Sequence, residues 1–383
     1  LNPTSDLSVS TGYYIKIDTT AVTDKSGNAY AGITDTTTLN FTTLAVGGAV
    51  NLSDIASGVG GFVINGQCAS DLSGWSVSSA GDVNGDGIAD LLIGAYKSDP
   101  AGGVDAGKTY VVFGKTGSFT AINLSDVATG NGGFVINGQG ACDNSGYSVS
   151  SAGDVNGDGL ADLIVGASNS DPAAGAQAGR TYVVFGQTGT TAIDLSAVAA
   201  GTGGFVINGQ CSCDYSGVSV SSAGDVNGDG LADLIVGATG SDLAGGTNAG
   251  RSYVVFGQTG TIAINLSAIA AGVGGFVING QCSCDQSGNS VSSAGDVNGD
   301  GLADLIVGAY GSDPAAGSNA GRTYVVFGQT GTIAINLSAV ATGNGGFVIN
   351  GSSANDNSGV SVSSAGDING DGLADLIVGA SYS

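Results

Sequence analysis

Residues 152–162 read Ala-Gly-Asp-Val-Asn-Gly-Asp-Gly-Leu-Ala-Asp, and this stretch decides the fold. It recurs five times, with Ile for Leu at Ile88 and Ile for Val at Ile368. The first aspartates of the copies are 72, 71, 71 and 71 residues apart, at Asp82, Asp154, Asp225, Asp296 and Asp367. A fixed period of this kind is typical of repeat proteins, in which every repeat is one supersecondary unit.

Each copy reduces to D-x-N-x-D-G-x-x-D, which offers side-chain oxygens at positions 1, 3, 5 and 9 and a backbone carbonyl at position 7. Oxygen ligands in a tight glycine-containing loop suit a hard cation, and Ca²⁺ fits best because it takes six to eight of them. Bare Asp-Gly turns without an ion are the alternative. We therefore predict about five calcium sites, with these ligands: Asp82, Asn84, Asp86, Ile88 and Asp90; Asp154, Asn156, Asp158, Leu160 and Asp162; Asp225, Asn227, Asp229, Leu231 and Asp233; Asp296, Asn298, Asp300, Leu302 and Asp304; Asp367, Asn369, Asp371, Leu373 and Asp375.

The composition argues against nucleic-acid-binding proteins, membrane-spanning proteins and enzymes. All 32 acidic residues are Asp, His and Met are absent, and the formal charge is −24. So acidic a chain, with eight scattered Lys and Arg, is not expected to bind nucleic acid. No apolar run is long enough to cross a membrane. Without His or Glu, and with no serine in a nucleophile elbow, we expect no catalytic residues and no enzyme activity.

Each repeat carries four strand-like segments joined by tight turns. In the second copy they are 146–153, 162–167, 181–186 and 204–209, and the middle two are near-continuous apolar runs, as in strands covered on both faces. Four short antiparallel strands stacked radially make a β-propeller blade. We therefore predict an all-β propeller over 47–383, with blades at about 71–140, 143–212, 214–283 and 285–354, a partial blade at 356–383 and a lone outer strand at 61–66.

The array looks incomplete, because it stops after the second strand of a unit. Either five blades close with one three-stranded blade or further blades followed, and the sequence favours truncation. Residues 1–46 differ from the repeats: Tyr13–Ile17 and Thr38–Thr42 read as strands around a turn at Asp24–Asn28. They resemble the C-terminal part of a bacterial immunoglobulin-like domain, so we expect a fragment of such a β-sandwich before the propeller.

The stretch Gly153–Ala167, with the following Tyr-Val-Val-Phe-Gly, resembles the FG-GAP repeat of integrin α-subunit propellers. The resemblance covers about 61–383. It implies a seven-bladed propeller, Ca²⁺ between strands one and two, an extracellular location, and adhesion or ligand binding. Similar repeats occur in secreted or surface proteins of bacteria, cyanobacteria among them, and beside the catalytic domain of an anchor-cleaving phospholipase. The unit here is about ten residues longer than the integrin unit, and five Asp loops are visible.

Strand alternation places the loops after strands 1 and 3 on one face, which we call the calcium-loop face. The loops after strands 2 and 4 lie on the opposite face, where the repeats differ from one another. Exposed aromatic and basic residues there suggest a surface for a protein or glycan partner, although neutral drift explains the same pattern. The candidate ligand-binding residues are Leu72, Trp75, Tyr96, Lys97, Asn144, Tyr147, Tyr215 and Tyr310.

Three further features remain. For the six cysteines between strands four and one, we favour a local or blade-to-blade disulfide over free thiols or a Cys-only metal site: Cys68, Cys142, Cys211, Cys213, Cys282 and Cys284. For Arg180, Arg251 and Arg322 we favour salt bridges, as with Asp171 and Asp313, over an anion site. Segments such as Ile264–Ala270 predict a short helical turn, and we favour a capping role over N-glycosylation for their Asn.

The sequence thus predicts a calcium-binding extracellular propeller that mediates adhesion or ligand binding within a longer multidomain chain. The alternatives are a passive spacer in a surface-protein array and an accessory domain of a secreted hydrolase. The flanking sequence would discriminate among them, since a hydrolase domain there favours the last.

Overall fold

The apolar runs of each repeat form the middle of a small antiparallel sheet. The computed structural model of the chain describes residues 12–14, 40–42, 51–117, 121–243 and 246–382. The chain divides into two compact units, residues 1–63 with 119–121, and residues 64–118 with 122–383. The second unit contains all the blades, and it is all-β apart from short helices.

The blade strands recur at equivalent positions. Strand 1 is β4 (Val77–Gly81), β9 (Ser148–Gly153), β14 (Ser219–Gly224), β19 (Ser290–Gly295) or β24 (Ser361–Gly366). Strand 2 is β5 (Asp90–Ala95), β10 (Asp162–Ala167), β15 (Asp233–Ala238), β20 (Asp304–Ala309) or β25 (Asp375–Gly379). Strand 3 is β6 (Lys108–Val112), β11 (Arg180–Val184), β16 (Arg251–Val255) or β21 (Arg322–Val326). Strand 4 is β3 (Ile64–Asn65), β8 (Gly133–Asn137), β13 (Gly204–Asn208), β18 (Gly275–Asn279) or β23 (Gly346–Asn350).

Within a blade these strands pair antiparallel in the order 1-2-3-4, with Ile164 opposite Val183 and Val183 opposite Phe205 in the second blade. These are the four-stranded blades that the sequence predicts, and in the described residues no sheet closes on itself. The predicted lone outer strand at 61–66 is shorter than expected. Among those six residues only Ile64–Asn65 form a strand.

A two-residue strand and a helical turn lie between strands 3 and 4. The strands are β7 (Ile122–Asn123), β12 (Ile193–Asp194), β17 (Ile264–Asn265) and β22 (Ile335–Asn336). The helices are α2 (Leu124–Val127), α3 (Leu195–Ala199), α4 (Leu266–Ala270) and α5 (Leu337–Val340). Each short strand pairs in parallel with strand 4 of the preceding blade, as Ile264 does with Ile207. The helical turns are where the sequence predicts them. The sequence did not predict the pairing of the short strands: β12, β17 and β22 each add a fifth strand to the preceding blade's sheet, whereas β7 forms a two-stranded sheet with β3.

The hydrophobic core lies between blades rather than inside one. Ile164, Val183 and Phe205 of the second blade pack against Val236, Tyr253 and Leu266 of the third, and all six side chains are fully buried. The same contact repeats between the other neighbouring blades. Because apolar burial drives folding, each blade depends on its neighbours for stability.

Strand 1 is innermost, and adjacent copies of it pack side by side. Its small residues serve this crowding. Ser148 Oγ accepts a hydrogen bond from the Val220 N–H of the next blade (3.1 Å), and the same bond recurs from Val149 to Ser76. Gly153 has φ +75°, and a Cβ there would lie 2.6 Å from the Ala232 Cβ of the next blade, so close packing and backbone conformation both require glycine.

The first unit contains α1 (Leu52–Ala56) and a two-stranded sheet of β1 (Gly12–Tyr14) and β2 (Asn40–Thr42). In this sheet Tyr13 is opposite Phe41 in antiparallel register. Parts of the two predicted strands therefore pair with each other. The turn at 24–28 and the rest of the proposed immunoglobulin-like fragment lie outside the described residues, so that assignment stays a prediction. No helix in the described parts of the chain has the length and apolar character to cross a bilayer.

Candidate functional site

The Asp-Val-Asn-Gly-Asp-Gly loop is held in shape by its own side chains. Asp154 accepts backbone hydrogen bonds at Oδ1 from Gly157 (2.7 Å) and Asp158 (3.1 Å), and at Oδ2 from Gly159 (2.9 Å). Asp158 Oδ1 accepts the N–H of Leu160 at 2.9 Å. The first aspartate accepts the same bonds in all five copies. It therefore fixes the loop backbone.

The donor chemistry of this loop fits a hard cation. A carboxylate oxygen has two lone pairs. Asp154 Oδ2 and both Asp158 oxygens accept one hydrogen bond each, so each keeps one lone pair available. Asn156 Oδ1 likewise accepts one bond, from Asp158 N (2.8 Å). In the described residues no group of three or more Asp or Cys side chains lies close enough together to hold a metal ion. Calcium therefore stays a prediction that the donor set allows.

The ninth residue of the loop also links the loop to the residues that follow strand 3. Asp162 is fully buried, and it accepts hydrogen bonds from Val155 N and from Gly186 N, both at 2.9 Å. It thereby ties the loop to the Phe-Gly pair that follows strand 3. Burial raises the pKa of Asp162 to about 7, although the two N–H groups act in the opposite direction. Burial likewise raises the pKa of the equivalent Asp233 to about 6.

Neighbouring calcium loops are joined through the backbone. The carbonyl oxygen of the first aspartate accepts a hydrogen bond from the alanine at position 8 of the next loop. Ala161 N donates to Asp82 O at 2.9 Å and Ala232 N to Asp154 O at 3.2 Å. Ala303 with Asp225 and Ala374 with Asp296 repeat the contact. Backbone hydrogen bonds thus connect the five loops on the calcium-loop face in one continuous row.

On the opposite face, an aromatic cluster is formed by Trp75, Tyr96 and Tyr147. Their ring centroids are 5.2–5.7 Å apart, and Trp75 is 55% exposed. Trp75 and Tyr96 come from two loops of the first blade, whereas Tyr147 belongs to the second. The structure therefore brings three of the predicted ligand-binding residues together across a blade boundary.

The other predicted residues on this face are placed differently. Lys97 pairs with Asp105 (2.9 Å), and its ammonium group lies 5.5 Å from the Tyr96 ring centre. Leu72 is 47% exposed, and Asn144 has a buried Oδ1 without a hydrogen-bond partner. The hydroxyls of Tyr215 and Tyr310 donate to Gln177 and Gln286, and Tyr310 lies near enough to Tyr147 to act on it electrostatically. The ring contacts join Trp75, Tyr96 and Tyr147, and for the other five residues ligand binding stays a prediction.

The predicted salt bridges of the arginines are wrong. Arg180 donates to Asn208 Oδ1 (3.3 Å) and to Gln139 Oε1 (3.5 Å), whereas Asp171 accepts the backbone N–H of Gln177 (2.7 Å). Arg322 and Asp313 are separated in the same way. Within the described part of the chain, the ion pair of Lys97 with Asp105 stands alone.

The glutamine that accepts a hydrogen bond from each arginine was not predicted from the sequence. Gln139, Gln210 and Gln281 each accept from an arginine and from the tyrosine two residues after it, as Gln210 does from Arg251 (3.1 Å) and Tyr253 (2.7 Å). Their spacing was the available signal, because each glutamine precedes its arginine by 41 residues.

Two smaller expectations are also corrected. All six cysteines are free and exposed, so the favoured disulfides are not formed here. Asn265 stands at the N-cap position of α4, but it makes no side-chain capping bond. Its Oδ1 instead accepts from Asn208 Nδ2 of the preceding blade at 3.2 Å, and Asn336 pairs with Asn279 in the same way. These asparagines link blades rather than cap helices.

Comparison with known proteins agrees with this repeat. The FG-GAP repeat model matches residues 73–112, 145–184, 216–255, 287–326 and 358–383. The chain is similar to integrin alpha-5 of Xenopus laevis, with 28% identity over 248 residues, which is 63% of this chain and 20% of that protein. It is also similar to integrin alpha-PS2 of Drosophila melanogaster, with 30% identity over 238 residues, which is 61% of this chain and 15% of that protein. The matched region therefore spans a fifth or less of these relatives.

Proposed function

Because this chain carries five FG-GAP repeats in integrin-like propeller blades, we propose that it is a ligand-binding or adhesion module that works outside the cell and is stabilised by calcium. The ligand is a protein or a glycan. The aromatic cluster carries this proposal, because it places an exposed Trp and two Tyr on the face that varies between repeats. Aromatic side chains of this kind are enriched at binding hot spots.

Replacing the cluster tests the binding site. Wild-type chain and the Trp75→Ala, Tyr96→Ala, Tyr147→Ala triple variant are applied to glycan and protein arrays in millimolar calcium. We expect the triple variant to lose the binding that wild type shows. Ile333→Ala is the control, because Ile333 is a 79% exposed apolar residue in a loop after strand 3, on the calcium-loop face. A triple variant that binds as wild type does, with an unchanged melting temperature, would show that the cluster is not the site.

In the proposed calcium sites, the loop oxygens at positions 1, 3, 5, 7 and 9 hold the ion, and its charge offsets the repulsion among three aspartates. Affinity in the range of extracellular modules, about 10⁻⁴–10⁻³ M, suits an external location. At ten times the dissociation constant, one site adds about 1.4 kcal/mol to the free energy of unfolding.

Calorimetric titration of the metal-free chain with Ca²⁺ tests these sites. We expect about five sites, and one fewer in Asp154→Asn, which retains one side-chain oxygen for the loop backbone. Asp171→Asn, on the opposite face, is the control and keeps the full number. A wild-type chain that shows no heat of binding and no calcium-dependent rise in melting temperature would refute calcium binding.

We also propose that the chain has no catalytic activity. The sequence lacks His and Glu, which most often act as general acids and bases. Screening for hydrolysis of esters, glycosides and phosphodiesters tests this, and a turnover that survives repurification would contradict it.

A further inference from the structure

Two clefts with the same lining open where strand 4 meets the short strand of the next blade. The first, of about 550 Å³, lies between the second and third blades, and the other, of about 500 Å³, between the third and fourth. Such volumes are typical of small-molecule sites. Six lining residues are equivalent in the two clefts: Arg180, Asn208, Gly209, Gln210, Asn265 and Ser267 in the first, and Arg251, Asn279, Gly280, Gln281, Asn336 and Ser338 in the second.

The arginine in each cleft has donors to spare. Arg251 uses Nε for Asn279 Oδ1 (3.2 Å) and Nη1 for Gln210 Oε1 (3.1 Å). A guanidinium group has five N–H donors, so three remain. The buried Asp214 carboxyl interacts electrostatically with Arg251 but does not reach ion-pair distance. Arg251 therefore stands at the cleft wall without a salt bridge to a described residue.

The neighbouring side chains also present donors. In the first cleft, Asn265 Oδ1 is occupied by Asn208, and Gln210 Oε1 by Arg251 and Tyr253. The amide nitrogens of Asn265 and Gln210 have no partner among the described residues, and neither has the hydroxyl of Ser267. Val206 and four alanines, at 173, 174, 199 and 263, form the rest of the lining. The cleft thus combines one cation, several neutral donors and a small apolar surface.

We propose that each of these two clefts binds one carboxylated sugar residue, a uronate, of an acidic saccharide. The planar guanidinium matches a carboxylate through two parallel hydrogen bonds. The amides and the serine suit sugar hydroxyls, which both donate and accept. At physiological salt the Debye length is about 8 Å, so local groups outweigh the distant negative charge for a singly charged sugar. A densely sulfated or phosphorylated polymer would bring many charges against the acidic surface, and it is disfavoured.

The chain contains a natural control for this site. Between the first and second blades, Lys108 replaces the arginine and Asp194 replaces Asn265. Asp194 Oδ1 accepts from Asn137 Nδ2 at 3.0 Å, so a carboxylate stands where the other clefts offer an amide. Negative charge here opposes an anionic ligand, and we expect this position to stay empty. The stoichiometry should therefore be two per chain.

Titration of the full chain with sodium D-glucuronate, followed by NMR or calorimetry, tests the proposal. We expect saturable binding at two sites, with a dissociation constant on the order of 1 mM, and much weaker binding of D-glucose and of acetate. The Arg180→Gln, Arg251→Gln double variant should bind at least tenfold more weakly. Lys108→Arg with Asp194→Asn should raise the number of sites from two to three, and this gain does not depend on a destabilised fold.

Several results would overturn the proposal. One is that wild-type chain shows no saturable glucuronate binding. Another is that the Arg180→Gln, Arg251→Gln variant binds glucuronate as wild type does. A third is that the Lys108→Arg, Asp194→Asn variant still has two sites. Equal affinity for acetate would reduce the site to a carboxylate site and overturn the saccharide assignment, as would tighter binding of an aspartate-rich peptide. Trp75→Ala should leave glucuronate binding unchanged, so failure here and failure of the proposed aromatic site are separable.

Discussion

Truncating one buried phenylalanine should show that blades are stabilised by their neighbours. Phe205 is fully buried against the third blade, and it packs edge-on against Phe185 with ring centroids 6.1 Å apart. Phe→Ala in a well-packed core costs about 3–5 kcal/mol of unfolding free energy, from lost burial and the cavity left behind. We expect Phe205→Ala to fall within this range.

Phe347 is the matched control, because it has the same position in the fourth blade and a similar neighbour, Phe327, at 6.3 Å. It is 41% exposed, and the described strands that follow its blade are β24 and β25. Full burial of such a side chain contributes about 1.5–3 kcal/mol, and no closed cavity would form, so Phe347→Ala should cost about 1 kcal/mol. Urea unfolding at fixed calcium, with hydrogen exchange to locate partial unfolding of the array, measures both. Equal losses in the two variants would refute the blade-interface argument.

Three further predictions concern acidity, backbone packing and thiols. Burial raises the pKa of three carboxyls outside the calcium loops, those of Asp143, Asp214 and Asp285. Between pH 4 and their folded pKa values, the native chain therefore holds more protons than the unfolded chain, and in metal-free buffer the melting temperature should fall as pH rises through this window. Replacing any one of these aspartates with Asn should make this dependence of melting temperature on pH less steep. Gly166→Ala would place a Cβ 2.0 Å from Gly217 O of the next blade and should cost about 3 kcal/mol in urea unfolding, whereas Gly189→Ala meets nothing within 4 Å and should be neutral. All six exposed cysteines should react with iodoacetamide under native conditions, as counted by mass spectrometry, and protection of any pair would indicate a disulfide instead.

The features that could be predicted from the sequence are those with a repeat period or a hydrophobic pattern. The apolar run Leu163–Val165 and the run Tyr182–Val184 identify strands 2 and 3, and the repeat spacing identifies the blade. The two-residue strand at Ile264–Asn265 has no periodicity to detect, so its parallel pairing was missed. For the aromatic cluster, the sequence predicted only that the three residues lie on the same face. The contact between Tyr147 and Trp75 depends on how the first and second blades pack, and the sequence of a single repeat does not show this.

The arginine error has a related cause. In sequence, Asp171 is much nearer to Arg180 than Gln139 is, and proximity favoured the charged partner. The fold instead turns the Asp171 carboxylate to cap its own loop at Gln177 N, while strand 4 presents Asn208 to the arginine. Hydrogen bonding of the carboxylate to a backbone N–H of its own loop competes with ion pairing, and here it prevails.

The backbone bonds that join successive calcium loops have a consequence for how the array would respond to its cation. Each bond connects the first ligand of one loop with the alanine beside the last ligand of the next, so ordering one loop helps to order its neighbours. Sites coupled in this way behave as a one-dimensional lattice, in which occupancy of one site favours occupancy of its neighbours. With calcium bound as proposed, the loops from Asp82 to Asp367 would fill over a narrower range of calcium concentration than independent sites would. A falling calcium concentration would then loosen neighbouring blades together rather than one at a time.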